Sequence, residues 1–86
     1  MARLGRVEAE VIKDATYGIS DPVRSTVGKV YEEDPRRLAS LTRKGLIFDR
    51  TGFGDYWLTR EGWDTARALI EAEGGYMYPG YPKYLA

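Results

Sequence analysis

The segment from Arg37 to Gly62, RLASLTRKGLIFDRTGFGDYWLTREG, constrains the fold more than any other part of the chain. An amphipathic stretch ends at a glycine, two short β-prone runs follow around a glycine-containing loop, and a threonine then precedes a new helical pattern. Glycine just after a helix and threonine just before one are common boundary signals. The order therefore predicts a helix, a β-hairpin and another helix in direct succession.

The helix ahead of the hairpin is predicted over residues 34–44. Asp34 supplies a cap, Pro35 suits the first helical position, and Gly45 ends the helix. Helical spacing gives it an apolar side (Leu38, Leu41, Thr42) and a polar, basic side (Arg36, Ser40, Arg43). This helix is therefore amphipathic, and Arg43 and Lys44 stand in its last turn.

Two more helices are predicted upstream. The first covers Val7 to Tyr17 and ends at Gly18, with an apolar stripe of Val7, Val11, Ile12 and Ala15. The second begins after the cap-and-proline signal Ser20-Asp21-Pro22. Its apolar stripe is Val23, Val27 and Val30, and Gly28 interrupts it.

The hairpin is predicted within residues 46–59, with strands Leu46 to Arg50 and Asp55 to Thr59. Pairing of Arg50 with Asp55 sets the register, so that Ile47 faces Leu58 and Phe48 faces Trp57. Thr59 then caps a last helix that ends at Gly74-Gly75. The buried stripe of that helix is predicted as Trp63, Ala66, Leu69 and Ile70.

The 86 residues are enough for one domain, which we place at 1–75, followed by a tyrosine- and proline-rich tail at 76–86. A domain of this size buries only about 60% of its unfolded surface, so oligomerisation would help it. The tail contains four tyrosines, which make it too sticky for an inert linker. Trp57 is either covered by this tail or exposed as a contact surface.

Charge is segregated along a chain whose formal net charge is zero. Residues 36–60 hold six basic and two acidic side chains, a net of +4, whereas residues 1–35 and 61–86 each carry −2. Such a local concentration, rather than overall composition, is the electrostatic footprint expected of a nucleic-acid surface. The other interpretation is a merely solvated helix face.

Catalytic and metal-dependent functions find no support in the residue types. The chain has no cysteine and no histidine, so thiol nucleophiles, thiolate metal sites and the usual near-neutral acid-base group are missing. Gly52-Phe53-Gly54 lies between strands and reads as a turn, not a dinucleotide fingerprint. Glu32-Glu33-Asp34 has two interpretations: the three carboxylates could bind a hard cation, or they cap the following helix and complement its dipole. We expect no enzyme activity, no cofactor and no metal.

No apolar run approaches the roughly 18 residues of a membrane span, and the start MARLGRVEAE lacks a signal-peptide apolar region. These features predict a cytoplasmic protein without membrane contact.

The element order and the string L-x-x-L-x-x-x-G-L-I … G-x-Y-x-L-T-x-x-G, from Leu38 to Gly62, resemble the winged helix-turn-helix regulators. The nearest resemblance is to small prokaryotic, phage and archaeal-virus repressor-like proteins related to the MarR and PadR groups. It implies an α+β, mostly α fold, with a three-helix core, a two-stranded wing and a C-terminal helix. The chain departs from the family at Glu32-Glu33-Asp34-Pro35, which shortens the recognition helix and places three carboxylates at its start.

The resemblance and the chemistry of the residues together predict a DNA-binding surface. Arginine near a recognition-helix start can read guanine in the major groove, and cations a turn or two later reach phosphates. The predicted contacts are Arg36, Arg37, Ser40, Arg43 and Lys44 on the helix, and Arg50, Thr51 and Arg60 at the wing. For Arg50 the alternative is a cross-strand ion pair with Asp55. Phe53 either wedges into DNA or folds back on its hairpin.

The predicted function is a sequence-specific, double-stranded DNA-binding transcriptional regulator, acting as a homodimer with two half-sites. The alternative is a winged-helix protein-interaction module or assembly subunit that does not bind DNA. In that case Phe48, Trp57 and the 76–86 tail would meet a protein partner. Net neutrality and the acidic lead-in to the recognition helix favour the alternative.

Overall fold

A computed structural model describes residues 4–16, 27–76 and 80–85 of the chain. Within these ranges the helices are α1 (Arg6–Asp14), α2 (Pro35–Arg43) and α3 (Arg60–Ala72), and a 3₁₀ helix covers Lys83–Leu85. The strands β1 (Ile47–Asp49) and β2 (Tyr56–Leu58) form an antiparallel hairpin between α2 and α3. The described chain is thus a small α+β domain, mostly helical, in the order predicted for its second half.

The predicted register of the hairpin is confirmed. Ile47 pairs with Leu58 and Phe48 with Trp57, and the Arg50 N–H donates to the Asp55 carbonyl at 2.8 Å. A further extended segment lies on the other side of β2, where Lys29 forms an isolated antiparallel bridge with Trp57. The hairpin is therefore supported from both edges of its second strand.

The second predicted helix is wrong at its C-terminal end. Residues 17–26, where it would begin, lie outside the described residues, but Val27 and Gly28 form a turn, Lys29 forms a β-bridge and Val30 is not helical. Gly28 has a φ of 97°, which a right-handed helix cannot accommodate. The Val30 N–H donates to the Tyr56 carbonyl at 2.9 Å, so Val30 is buried beside the hairpin instead of on a helical stripe.

Local hydrogen bonds fix both ends of α2 and join it to α3. The Asp34 carboxylate accepts the Arg36 N–H at 3.0 Å. At the other end the Leu46 N–H donates to the Leu41 carbonyl at 3.1 Å around Gly45, whose φ is 75°. The Thr59 hydroxyl, which caps α3, donates to the Gly45 carbonyl at 2.6 Å. The end of α2, the hairpin and the start of α3 are therefore joined by hydrogen bonds at Gly45 and Thr59.

The core lies between α1, α3 and the inner side of α2 and the hairpin. Its fully buried side chains are Ile12, Leu41, Ile47 and Leu58, and Trp63, Ala66 and Ile70 of α3 are also buried. Two expected core positions are not in it. Val7 is 50% exposed, because it stands in the first turn of α1, and Thr42 is exposed with its hydroxyl bonded to the Leu38 carbonyl. The α-helical part of α1 ends at Asp14, three residues earlier than predicted.

Of the described tail residues, 80–85 pack on their own domain beside Trp57, which is one of the two alternatives that the sequence left open, whereas Tyr76 is 77% exposed. The Tyr81 hydroxyl donates to the Leu58 carbonyl at 2.6 Å, and the Tyr84 hydroxyl donates to the Val27 carbonyl. The Tyr84 ring packs edge to face on the Trp57 ring, with 5.9 Å between the two ring centroids. Trp57 is consequently 6% exposed and does not form an open contact surface. In the described part of the chain, no helix is long and apolar enough to span a bilayer.

Candidate nucleic-acid interface

The outer face of α2 carries two exposed arginines, Arg36 and Arg43, seven residues apart on the same side of the helix. Among the described carboxylates, none lies within ion-pair distance of either guanidinium. The exposed neighbours on this face, Ala39 and Thr42, are small and uncharged. The face therefore presents two unneutralised positive charges to solvent, at two of the predicted positions.

Ser40, and Lys44 at the C-cap of α2, stand on the flank of the helix that faces the start of α1, which we call its inner face. Both bond to Glu8, the Ser40 hydroxyl and the Lys44 ammonium each donating to a separate carboxylate oxygen at 2.6 Å. Partial burial alone would raise the pKa of Glu8, but the bonds from Lys44 and Ser40 outweigh it and bring the pKa down to about 2. The structure thus brings these two residues to α1 and away from the outer face.

Arg37 is also engaged within the protein. Its guanidinium donates to the Glu32 carboxylate at 3.1 Å and lies 3.7 Å from the Asp34 carboxylate. The hydrogen bond from the Asp34 N–H, and to a smaller extent the bond from the Arg37 guanidinium, hold the pKa of Glu32 below its ordinary value. Two of the three carboxylates ahead of α2 are therefore occupied, one by Arg37 and backbone N–H groups and the other as the helix cap. Glu33 remains exposed.

The wing tip, residues 51–54, is organised by the Asp49 side chain. The Asp49 carboxylate accepts N–H groups from Gly54 at 2.8 Å, Gly52 at 2.9 Å and Asp55 at 3.0 Å. The bond from Gly54 leads in holding the pKa of Asp49 below its ordinary value. Thr51 is exposed, and its hydroxyl accepts the Phe53 N–H at 3.2 Å. The loop is therefore closed by hydrogen bonds that involve no part of the Phe53 ring.

The alternative considered for Arg50, a cross-strand ion pair with Asp55, does not form. Asp55 instead pairs with Lys29 at 2.6 Å, and this bond is the first cause of its lowered pKa. The Arg50 guanidinium is exposed and lies 5.3 Å from the centroid of the Trp57 ring, a cation–π arrangement. Arg60, at the start of α3, lies 5.3 Å from the Tyr81 ring centroid in the same manner. Neither guanidinium lies within ion-pair distance of a described carboxylate, and the charge of Arg50 contributes to the lowered pKa of Asp55.

Of the eight predicted contact residues, five keep their polar groups toward solvent and three turn them toward the protein. The outward set is Arg36, Arg43, Arg50, Thr51 and Arg60; the inward set is Arg37, Ser40 and Lys44. Sequence reasoning missed Glu8 and Lys29. Glu8 forms an ion pair with Lys44 and Lys29 forms one with Asp55, so these two residues decide which charges stay available. Glu8 is 32 residues from Ser40, and Lys29 is 26 residues from Asp55. No local spacing signals such pairs.

Other features of the described residues carry less chemistry. No group of three carboxylates in the part of the chain described here is arranged to hold a metal ion, Glu32-Glu33-Asp34 included. An open cleft of about 560 Å³ runs along the outer side of α3, where it is lined by Arg60, Glu61, Asp64, Thr65 and Ala68. Its two carboxylates outnumber its one cation, so it does not extend the basic surface.

No protein-family model, curated protein or solved structure matches the chain.

Proposed function

We propose that this protein binds double-stranded DNA through the outer face of α2 and the β1–β2 wing, as a winged helix-turn-helix transcriptional regulator. The observation that carries the proposal is the exposed Arg36 and Arg43 pair on a helix that leads directly into the β1–β2 hairpin, at whose base Arg50 and Arg60 are also exposed. A helix of this length is about 13 Å long, and the major groove is wide enough to take it side-on. Arg36, near the helix start, would read base edges, and Arg43 would reach a phosphate.

The acidic lead-in to α2 is less of an obstacle than the sequence alone suggests. Glu32 is neutralised by Arg37, and Asp34 is used as the helix cap. The two carboxylates of the hairpin are likewise engaged, Asp49 by backbone N–H groups and Asp55 by Lys29. The free charges near α2 and the wing are therefore mainly positive, which favours a polyanionic partner.

A homodimer and the regulatory role rest on the resemblance and on the small core. The tail gives the dimer no extra support, because Tyr81 and Tyr84 bond within their own chain. The surface expected for a protein-interaction module is reduced for the same reason, since the tail covers Trp57.

Fluorescence anisotropy with a labelled mixed-sequence duplex tests the proposal. We expect binding whose logarithmic dependence on salt has a slope of about −2 to −4, because up to four arginines can contact phosphates. Lys83→Ala serves as the control, since it removes an exposed cation from the tail outside the proposed surface; its slope should equal that of the wild type. Absence of binding at about 50 mM salt would contradict DNA binding by this domain.

A further inference from the structure

Phe53 stands at the tip of the wing with 95% of its surface exposed. Burial of a phenylalanine side chain is favourable, and a ring left in water forgoes that stabilisation. The hydrogen bonds of the loop use the Asp49 carboxylate, the Thr51 hydroxyl and backbone N–H groups, so the ring is not needed to form the turn. The expectation that this ring folds back on its own hairpin is therefore wrong, and its exposure has no structural explanation within the described chain.

The ring is presented on a preorganised loop. The positive φ angles that the turn requires fall on Gly52 (83°) and Gly54 (91°), which leaves Phe53 between them without backbone strain. Its own N–H is held by Thr51 at 3.2 Å. An apolar side chain fixed in this way can enter a partner without the entropy cost of ordering a loop.

The charges beside the ring indicate which partner it suits. Arg50 is exposed at the base of the loop, and the nearby carboxylates of Asp49 and Asp55 are both engaged within the hairpin. A rigid apolar tip flanked by a cation suits a partner whose outer surface is negatively charged and whose interior offers apolar surface that a ring can enter. Duplex DNA has this combination, with phosphates outside and stacked bases inside, and phenylalanine is among the side chains that unstack a base step from the minor groove.

We infer that the Phe53 ring is a DNA wedge, which enters between two base pairs from the minor groove and kinks the duplex while α2 lies in the major groove. This inference rests on the proposed function and adds to it a residue, a mode of contact and a deformation of the ligand. Flexible pyrimidine–purine steps should be preferred, because they unstack most easily. The wing would then carry a sequence preference through deformability, although it touches no base edge.

Energy transfer between dyes on the two ends of a duplex of about 25 base pairs tests the wedge. We compare the wild type with Phe53→Ala, with Phe53→Leu as an apolar replacement, and with Val7→Ala, which trims a half-exposed apolar side chain on α1. The wild type and Val7→Ala should shorten the end-to-end distance equally, and Phe53→Leu should retain part of the effect. Phe53→Ala should abolish the shortening and weaken binding about tenfold, since base–aromatic contact is lost. The melting temperature of Phe53→Ala should not fall, because the ring is exposed in the free protein.

The outcomes separate the wedge from the proposed function. Tight binding by Phe53→Ala with an unchanged kink would overturn the wedge and leave DNA binding by α2 in place. Failure of the wild type to bind any duplex would overturn both. Binding of the wild type to phosphatidylcholine vesicles that depends on Phe53, without any kink in DNA, would assign the ring to a lipid surface and also overturn the wedge.

Discussion

The two faces of α2 carry the same kinds of side chain, yet the fold uses them in opposite ways. On the inner face Arg37, Ser40 and Lys44 bond to carboxylates of the same chain. On the outer face Arg36 and Arg43 meet none of the described carboxylates within ion-pair distance. Counting cations along a helix therefore overestimates a binding surface, because tertiary partners neutralise some of them. What remains available is smaller, but it is concentrated on one side.

The largest effect of breaking the inner face is expected from Glu8→Ala. This variant loses the bonds from Ser40 and Lys44 and the bond from the Gly5 N–H at 3.0 Å, and leaves a half-buried ammonium without this carboxylate. The free energy of unfolding should fall by about 2 kcal/mol, measured by urea denaturation. Glu10→Ala is the matched control in the same helix and should change it by less than about 0.5 kcal/mol. Equal, small effects of both variants would contradict the inner-face assignment.

The same carboxylate makes the inner face sensitive to acid. Its folded pKa of about 2 lies below the ordinary value of 4.5, so the ionised form stabilises the fold. That contribution, about 1 to 2 kcal/mol, is fully present above pH 4.5 and is lost as the pH falls toward 2. Urea denaturation of the wild type and Glu8→Gln between pH 6 and pH 2.5 should show a stability difference that shrinks as the pH falls. A difference that stays constant over this range would exclude Glu8 as the titrating group.

A smaller effect is expected from Arg37→Ala. The ion pair with Glu32 is partly buried, with the Arg37 side chain 29% exposed, and its loss should destabilise the protein by about 1 kcal/mol. The thermal midpoint should drop by a few degrees, and a further Glu32→Gln substitution should restore part of the loss by removing the unpaired charge. If Arg37→Ala leaves the melting temperature unchanged, the pair does not belong to the inner face.

The smallest effects on stability are expected at the outer face. Arg36→Ala and Arg43→Ala should each change the free energy of unfolding by less than about 0.5 kcal/mol, since neither guanidinium has an ion-pair partner among the described residues. Chemical denaturation provides the measurement. A loss above about 1 kcal/mol in either variant would reveal a structural role and erase the distinction between the two faces.

The sequence predicted those elements whose causes are local. Pro35 and Gly45 mark the ends of α2, the glycines of the wing mark the loop, and pairing of Arg50 with Asp55 across that loop sets the register of the strands. Cover of Trp57 by the tail was one of two outcomes that the sequence allowed, and Tyr84 provides it by packing on the Trp57 ring. These signals act over a few residues or follow from composition.

The rest depends on contacts between distant parts of the chain. The segment at Lys29 was assigned to a helix because Val23, Val27 and Val30 recur at helical spacing, but Lys29 forms a β-bridge with Trp57 instead. Glu8 attracts Ser40 and Lys44 only once α1 and α2 are packed. The division of α2 into an inner and an outer face is therefore a tertiary property, which helical periodicity alone cannot reveal.

The salt dependence of duplex binding by Arg36→Ala/Arg43→Ala tests the central claim most directly. The matched control is Arg37→Met/Glu32→Gln, which removes the inner ion pair of the same helix without changing net charge. With a mixed-sequence duplex, the outer-face variant should reduce the magnitude of the logarithmic salt slope by about one, since Arg43 is assigned to a phosphate, and weaken binding at least tenfold at low salt. The inner-face control should keep the wild-type slope. Identical slopes for the wild type and the outer-face variant would contradict the assignment of this face to DNA.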